Sequence, residues 1–142
     1  NSLAYVLPPL RSNTDKNALI KGLQDGTIDA ICSHHEPLAK TAKQAPFAEC
    51  KAGISNFDTF IALGCELVRN GILTPEQLVE KACTNPAKIA GIGVLYQQKG
   101  GAVLIDPHLT WTVSKDTMLS QGKNTPFINS ELTGKVEKVF FD

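Results

Sequence analysis

Apolar and polar positions along residues 1–91 follow the pattern that parallel α/β structure produces. Apolar runs at residues 3–7 and 27–32 predict two short buried strands. Between them, Leu19, Ile20 and Leu23 recur at helical spacing after a cap at Asn13 or Thr14, and Gly26 ends that helix. A strand, a helix and a second strand at this spacing predict a βα unit with parallel strands.

Capping signals predict three more helices before residue 91. They begin at the capping-box-like residues 55–58, at Thr74-Pro75-Glu76-Gln77 and at Thr84-Asn85-Pro86; the first ends at Gly71 and the last at Ala90. The first helix carries an apolar stripe of Phe57, Phe60 and Ile61, which we expect in the core rather than on a partner surface. A long polar loop, residues 33–52, separates these helices from the second strand.

The character of the chain changes after Gly91. Short β-rich runs at residues 94–96, 102–105, 110–113 and 136–141 are separated by Gly, Pro and Asn. We therefore divide the chain into an α/β segment, residues 1–91, and a small β subdomain, residues 92–142.

Composition excludes several classes of function. Fourteen basic residues balance fourteen acidic ones without any block of like charge, which argues against a nucleic-acid or membrane-surface partner. No apolar run has the length of a membrane span. The four cysteines form no CxxC pair, so we expect buried free thiols in a reducing cytoplasm rather than disulfides or structural zinc. Because Met118 is the only methionine, we expect a processed product or a piece of a longer protein.

Six segments together resemble the C-terminal third of dihydroorotases, members of the amidohydrolase superfamily. They include Pro8-Pro9-Leu10-Arg11, residues 26–31, Pro46-Phe47 with Gly53-Ile54-Ser55, Thr84-Asn85-Pro86-Ala87, Ile105-Asp106-Pro107 with Trp111-Thr112-Val113, and Asn124-Thr125-Pro126-Phe127. They occur in the family's order across nearly the whole chain. The resemblance implies an α/β fold: the last strand–helix units of a (β/α)₈ TIM barrel plus part of a β-sandwich subdomain. A whole barrel needs about 250 residues, so this chain would be a fragment of its fold.

The resemblance also identifies the positions where the family's chemistry would lie. After the last barrel strand, active dihydroorotases carry Asp-His-Ala-Pro-His, in which the Asp is a metal ligand and general acid/base and the final His binds substrate. Here the Asp position is His34 and the final His position is Leu38. The Asn that contacts the pyrimidine ring in Asn-Pro-Pro-Leu-Arg is replaced by Leu7. Leucine neither donates nor accepts a hydrogen bond, so we expect no catalytic, substrate-binding or metal-ligating residue in this chain.

Other polar residues have both a functional and a plain structural interpretation. His34 and His35 could be a metal pair, but adjacent residues leaving a strand point in opposite directions. Glu36 could replace the missing carboxylate, although a solvated loop glutamate is the simpler expectation. We expect Arg11 to pair with an acidic neighbour. Three further polar residues are expected at the surface: Lys40, Lys43 and His108.

Three functions remain open at this stage. The first is a non-catalytic, cytoplasmic dihydroorotase homologue that holds no cofactor and supports aspartate transcarbamoylase, the partner that the resemblance implies, or associates with itself. The second is an active zinc-dependent cyclic amidohydrolase with a modified site. The third is an independent binding module, against which stands the sheet edge that part of a barrel would leave unpaired.

Overall fold

A computed structural model describes residues 2–92 and 101–140. Its helices are α1 (Asn13–Asp25), α2 (Phe60–Arg69), α3 (Pro75–Val79) and α4 (Asn85–Ile89), with a π-helical turn at Glu80–Thr84 between the last two. Short 3₁₀ turns lie at Ser2–Ala4, Lys40–Lys43 and Phe47–Glu49, and two strands follow, β1 (Ala102–Thr112) and β2 (Glu131–Phe140).

Helix α1 confirms the first helix that the sequence predicts, with its cap one residue earlier than expected. Ser12 is the N-cap: its hydroxyl accepts from the backbone N–H of Asp15, and the Asp15 carboxylate accepts from the Ser12 N–H in return. This reciprocal pair is a capping box. Gly26 ends the helix in the left-handed conformation, with φ of 85°, where a glycine costs least.

The two strands expected at residues 3–7 and 27–32 are wrong as regular strands. Residues 27–32 have no regular secondary structure: the Ile28 N–H donates to Gly22 O and the Ile31 N–H donates to Lys81 O, so each bond reaches a different helical element. A strand requires a continuous ladder with one neighbour, which these segments do not find within the described residues. A parallel bridge joins His35 to Ile54, which lie outside the two segments predicted to pair.

The helices after residue 55 partly match the predictions. Thr74 forms the expected capping box with Gln77 at the start of α3. The capping box expected at residues 55–58 is wrong, because α2 begins at Phe60 without a side-chain cap and the Asp58 carboxylate binds elsewhere. The expected new helix at residue 84 is instead a continuation of α3 through the π turn. A widened turn relieves the clash of a proline ring with the preceding turn, so Pro86 is tolerated there.

The β-rich region forms one antiparallel ribbon of two strands within the described residues. The expected strands at residues 102–105 and 110–113 are parts of β1, joined across an irregularity between Asp106 and Thr110. The expected strand at residues 94–96 lies outside the described residues. The described residues therefore contain two strands of the β-sandwich that the resemblance implies. The division near residue 91 stays a prediction.

The ribbon packs against α2 through a close backbone approach. A Cβ built on Gly134 of β2 would lie 2.9 Å from the Sγ of Cys65, and the φ of Gly134 is 106°. The Trp111 indole N–H donates to Gly134 O at 3.0 Å, and the Arg69 guanidinium donates to Thr133 O at 3.0 Å. The absence of a side chain at residue 134 thus lets the sheet contact the helix directly.

Burial departs from the sequence-based expectation at three apolar or thiol positions. Cys50 and Cys65 are buried as expected, whereas Cys32 and Cys83 are exposed. Phe57 is 68% exposed, so its placement in the core was wrong. It lies in the turn before α2 with its ring edge-on to His35, at 5.8 Å between centroids. Among the described residues, no helix combines the length and apolar character needed to cross a membrane.

Candidate functional site

His34 lies just beyond residues 27–32. Its φ is 45°, a left-handed conformation that is uncommon for residues other than glycine, although histidine is among those enriched there. Its side chain is exposed, while the side chain of His35 is half-buried. The two imidazoles therefore lie in different surroundings, and this arrangement is unfavourable for coordinating a single metal ion with both rings.

His35 has a structural partner for one ring nitrogen. Its Nδ1 accepts hydrogen bonds from the backbone N–H groups of Asn56, at 3.2 Å, and Phe57, at 3.0 Å. A neutral imidazole has one acceptor nitrogen and one N–H, so the proton is assigned to Nε2 and Nδ1 is occupied. His35 thereby ties residues 33–38 to the turn before α2, and the amide of Asn56 adds a bond to Ser33 O at 3.1 Å.

Glu36 is an exposed loop residue, as expected. Its side chain lies over Gly53: a Cβ on that glycine would be 3.0 Å from the Glu36 carboxyl carbon. Gly53 has φ of 132°, and its lack of a side chain makes room for this crossing. The Glu36 N–H donates to Ile54 O at 2.8 Å, so the backbone here is fastened to residues 53–54.

Asn124 holds the residues around Leu38 in place, a role that the sequence did not predict. Its side-chain oxygen accepts from the Leu38 N–H at 2.7 Å, and its amide donates to Glu36 O at 3.1 Å and Gly53 O at 3.2 Å. Asn124 is 4% exposed, so these bonds are shielded from water. We call this arrangement the Asn124 clamp. The only sequence signal for it was the segment Asn124-Thr125-Pro126-Phe127, which the family resemblance singled out without a role.

Gly122 makes the clamp possible by close approach. A Cβ at this position would lie 2.6 Å from the Leu38 backbone nitrogen and 2.7 Å from Pro37 Cβ. Any larger residue would push the segment containing Asn124 away from residues 37 and 38. Leu38, which the resemblance aligns with a substrate-binding histidine, is half-buried and lies against this second segment of the chain.

The third position that the resemblance singled out, Leu7, lies at the surface, as do Arg11 and His108. Leu7 is 55% exposed. It stands where the family pattern has an asparagine, and its side chain can form no hydrogen bond. Arg11 pairs with Asp15 at 3.7 Å between Nε and Oδ2, as expected for a pairing with an acidic neighbour. His108 is exposed, as predicted.

Lys43 was expected to be a solvated loop charge, and that prediction was wrong. It is 8% exposed, and its Nζ donates to Ser2 O at 3.0 Å and Tyr5 O at 3.2 Å. Desolvation lowers the pKa of Lys43, while the nearby Cys50 and Glu36 act in the opposite direction. The 3₁₀ turn at Lys40–Lys43 directs this lysine inward, and no sequence pattern indicates that direction. Lys40 is exposed, as predicted.

Asp58 fastens a second loop to the start of α2. Its carboxylate accepts from the backbone N–H of Leu119 at 2.7 Å and from both the hydroxyl and the N–H of Ser120. Burial alone would raise the pKa of Asp58, but the hydrogen bonds from Ser120 and Leu119 outweigh burial and lower it. A carboxylate with several donors is stabilised in its charged form.

The residues present do not fit the zinc site that the fold family implies. The position of the acid ligand carries the exposed imidazole of His34, and the Nδ1 of His35 is occupied by two backbone donors. Within residues 2–92 and 101–140, no three His, Cys, Asp or Glu side chains are grouped closely enough to hold a metal ion.

Comparison with known proteins finds that the chain is similar to part of several proteins named dihydroorotase. No protein-family profile matches it. A protein named dihydroorotase from Syntrophus aciditrophicus is 44% identical over 139 residues, covering 96% of this chain and 33% of that protein. Another from Caldanaerobacter subterraneus is 42% identical over 135 residues, covering 93% of this chain and 31% of that protein. The chain thus spans about a third of the length of these curated relatives.

Solved structures agree on the fold. A D-hydantoinase structure superposes with a TM-score of 0.82 at 22% identity, covering 99% of this chain and 33% of that one. A Saccharomyces cerevisiae dihydroorotase in complex with 5-fluoroorotic acid gives 0.79 at 15% identity, covering 100% of this chain and 39% of that one. Both are amidohydrolase barrels, which supports the α/β barrel interpretation. Over nearly its whole length, the chain is therefore similar in sequence to one segment of proteins named dihydroorotase, and similar in fold to the matching segment of the hydantoinase and dihydroorotase structures.

Proposed function

We propose that the protein carrying this chain is a non-catalytic dihydroorotase-like protein of pyrimidine biosynthesis and a structural partner of aspartate transcarbamoylase. The observation that carries the proposal is a contrast within one loop. The chemical positions have become His34 and Leu38, while the contacts that hold the loop, made by His35 and Asn124, are complete. Selection on a surface that binds a partner protein explains why the contacts that hold the fold persist although the catalytic residues are absent.

The chemical losses are large enough to matter. Loss of an acid/base group typically lowers a rate by about 10²–10⁴. A neutral imidazole at residue 34 supplies none of the negative charge of a carboxylate, and leucines at residues 7 and 38 remove two hydrogen-bonding groups. We therefore expect no interconversion of carbamoyl aspartate and dihydroorotate by the full-length protein, with or without added zinc.

A direct assay of both directions, with zinc supplied, tests the catalytic half of this proposal. The Syntrophus aciditrophicus relative, run in parallel, verifies that the assay detects turnover. His34→Asp alone should stay inactive, because Leu7 and Leu38 remain; the triple variant that also contains Leu7→Asn and Leu38→His is the matched comparison. Zinc-dependent turnover of the unmodified protein at about 1–10³ per second would refute the proposal.

Association is tested separately from catalysis. We expect the full-length protein to co-purify with aspartate transcarbamoylase and to elute with it as one species on size exclusion at micromolar concentrations. Two separate peaks, together with transcarbamoylase assembly and activity that do not change when the protein is removed, would exclude the structural role.

The alternative is a working zinc-dependent cyclic amidohydrolase with a modified site. Identities of 35–44% to proteins named dihydroorotase favour it, since relatives this similar commonly share chemistry. It requires ligands from outside the described residues, because those described do not provide a group of three. The same turnover assay distinguishes the two functions.

A further inference from the structure

A cavity of about 820 Å³ lies between the Lys40–Lys43 turn and residues 115–124. Four lysines line it, namely Lys40, Lys43, Lys115 and Lys123, out of fourteen basic residues in the chain. No Asp or Glu of the described residues lines it. In a chain whose formal net charge is zero, this is a strong local concentration of positive charge, and we call it the basic cavity.

Two of these lysines are held in place by carbonyl groups rather than by carboxylates. Lys43 donates to Ser2 O and Tyr5 O, and the Nζ of Lys123 donates to Met118 O at 2.7 Å. Within the part of the chain that the structure describes, the one ion pair closer than 4.0 Å is Arg11–Asp15, outside this region. Among residues 2–92 and 101–140, the lysines of the basic cavity therefore have no carboxylate within salt-bridge distance.

An ammonium group removed from water without a counter-ion is costly. Lys43 is buried, and although the charge of Glu36 favours its charged form, Glu36 does not line the cavity. A bound anion would offset this cost, and Lys43 has one further N–H to donate beyond its two carbonyl bonds. Lys40 and Lys115 are exposed at the rim, where they can adjust to a ligand.

The residues that line the basic cavity besides the lysines indicate the chemistry of the uncharged part of a ligand. Leu3, Pro37, Leu38 and Ala39 provide apolar surface, and Gly122 packs directly against residues 37 and 38 beside them. The volume falls in the range of about 300–1,000 Å³ that small-molecule sites occupy. A ligand with an apolar body and a compact, multiply charged group matches this lining.

We propose that the basic cavity binds a small organic phosphate with an apolar body. Four ammonium groups exceed the charge of a single carboxylate, whereas a phosphate monoester carries about −1.5 to −2 at neutral pH on three acceptor oxygens. Lysine binds phosphate as a point charge, and no arginine, whose planar fork suits paired recognition of carboxylates, lines the cavity among the described residues. Binding there does not require catalysis, so its outcome is independent of the turnover assay.

The test uses the full-length protein and three probes with the same aromatic ring: phenyl phosphate, benzoate and benzyl alcohol. Calorimetric titration should give saturable binding of phenyl phosphate at millimolar concentrations or below, weaker binding of benzoate and weakest binding of benzyl alcohol. Added salt should weaken phosphate binding. Amide shifts of Gly122 and Lys123 should follow the same titration, which locates the probe in the basic cavity.

The variant Lys40→Gln/Lys115→Gln removes two rim charges without touching the bonds made by Lys43 and Lys123. It should weaken phenyl phosphate binding by about tenfold, as expected for two partly exposed charges. The matched control, Lys16→Gln/Lys21→Gln, makes the same charge change on exposed positions of α1 and should bind as the unmodified protein does. Absence of saturable phenyl phosphate binding, equal binding of benzoate, or an equal loss in the control would each overturn the proposal.

Discussion

Replacing Asn124 by alanine removes three side-chain hydrogen bonds at once and tests the Asn124 clamp directly. The bonds join Asn124 to Leu38 N, Glu36 O and Gly53 O, at 2.7, 3.1 and 3.2 Å. A net contribution of about 1 kcal/mol for each bond gives a loss of about 3 kcal/mol in the free energy of unfolding. Because the Asn124 residue is 4% exposed, water cannot readily replace the lost partners.

Equilibrium urea unfolding, followed by fluorescence of the single Trp111, measures this loss. Asn124→Asp provides a second variant: it keeps an oxygen for the Leu38 N–H but loses both donors, so it should also be destabilised. The matched control is Asn17→Ala on the exposed surface of α1, which should change stability by no more than about 0.5 kcal/mol.

A loss below about 1 kcal/mol for Asn124→Ala, or a loss equal to that of Asn17→Ala, would refute the clamp as a stabilising feature. Loss of stability with no change in the amide spectra of residues 36–38 would also contradict the argument, because those backbone groups are the ones that Asn124 holds.

Two further predictions concern the packing of the ribbon and the loop held by Asp58. Gly134→Ala places a Cβ 2.9 Å from Cys65 and should lower the free energy of unfolding by about 2–3 kcal/mol, more than Gly26→Ala, whose new Cβ meets nothing within 4 Å; equal losses in urea unfolding would show that contact with α2 is not the cause. Because the folded-state pKa of Asp58 is lowered, its contribution is present above the unfolded value of 3.8 and is lost as pH falls through the folded value. Asp58→Asn should therefore be least stable relative to the unmodified protein near neutral pH, and a stability gap that stays constant from about pH 6 to about pH 2 would contradict this.

The sequence by itself determined the features that depend on neighbouring residues. The helix over residues 13–25, its end at Gly26 and the capping box of Thr74 with Gln77 all follow from side chains within four positions of the backbone groups that they satisfy. The family resemblance rested on ordered short segments and is supported by the similarity to dihydroorotases. The replacements at residues 7, 34 and 38 are likewise visible without coordinates.

Only the tertiary structure decided where long-range polar contacts form. Asn124 lies 86 residues from Leu38 in sequence, and Asp58 lies 61 residues from Leu119, so no local pattern connects these pairs. Lys43 is buried because a short 3₁₀ turn brings it to the carbonyls of residues 2 and 5. The composition of its loop predicts exposure instead.

The strand and helix boundaries that the sequence predicted wrongly also depend on contacts between segments that are distant in sequence. An extended segment becomes a regular strand only when a neighbour supplies a ladder, and residues 27–32 instead bond to Gly22 and to Lys81 in the π turn. The ammonium group of the buried Lys81 donates to Ile28 O. The side-chain amide of Asn85 donates to Asp29 O, which fastens the start of α4 to the same segment. Hydrophobic periodicity indicates which residues are extended or helical, but the identity of the partner is decided by which segments the folded chain brings together.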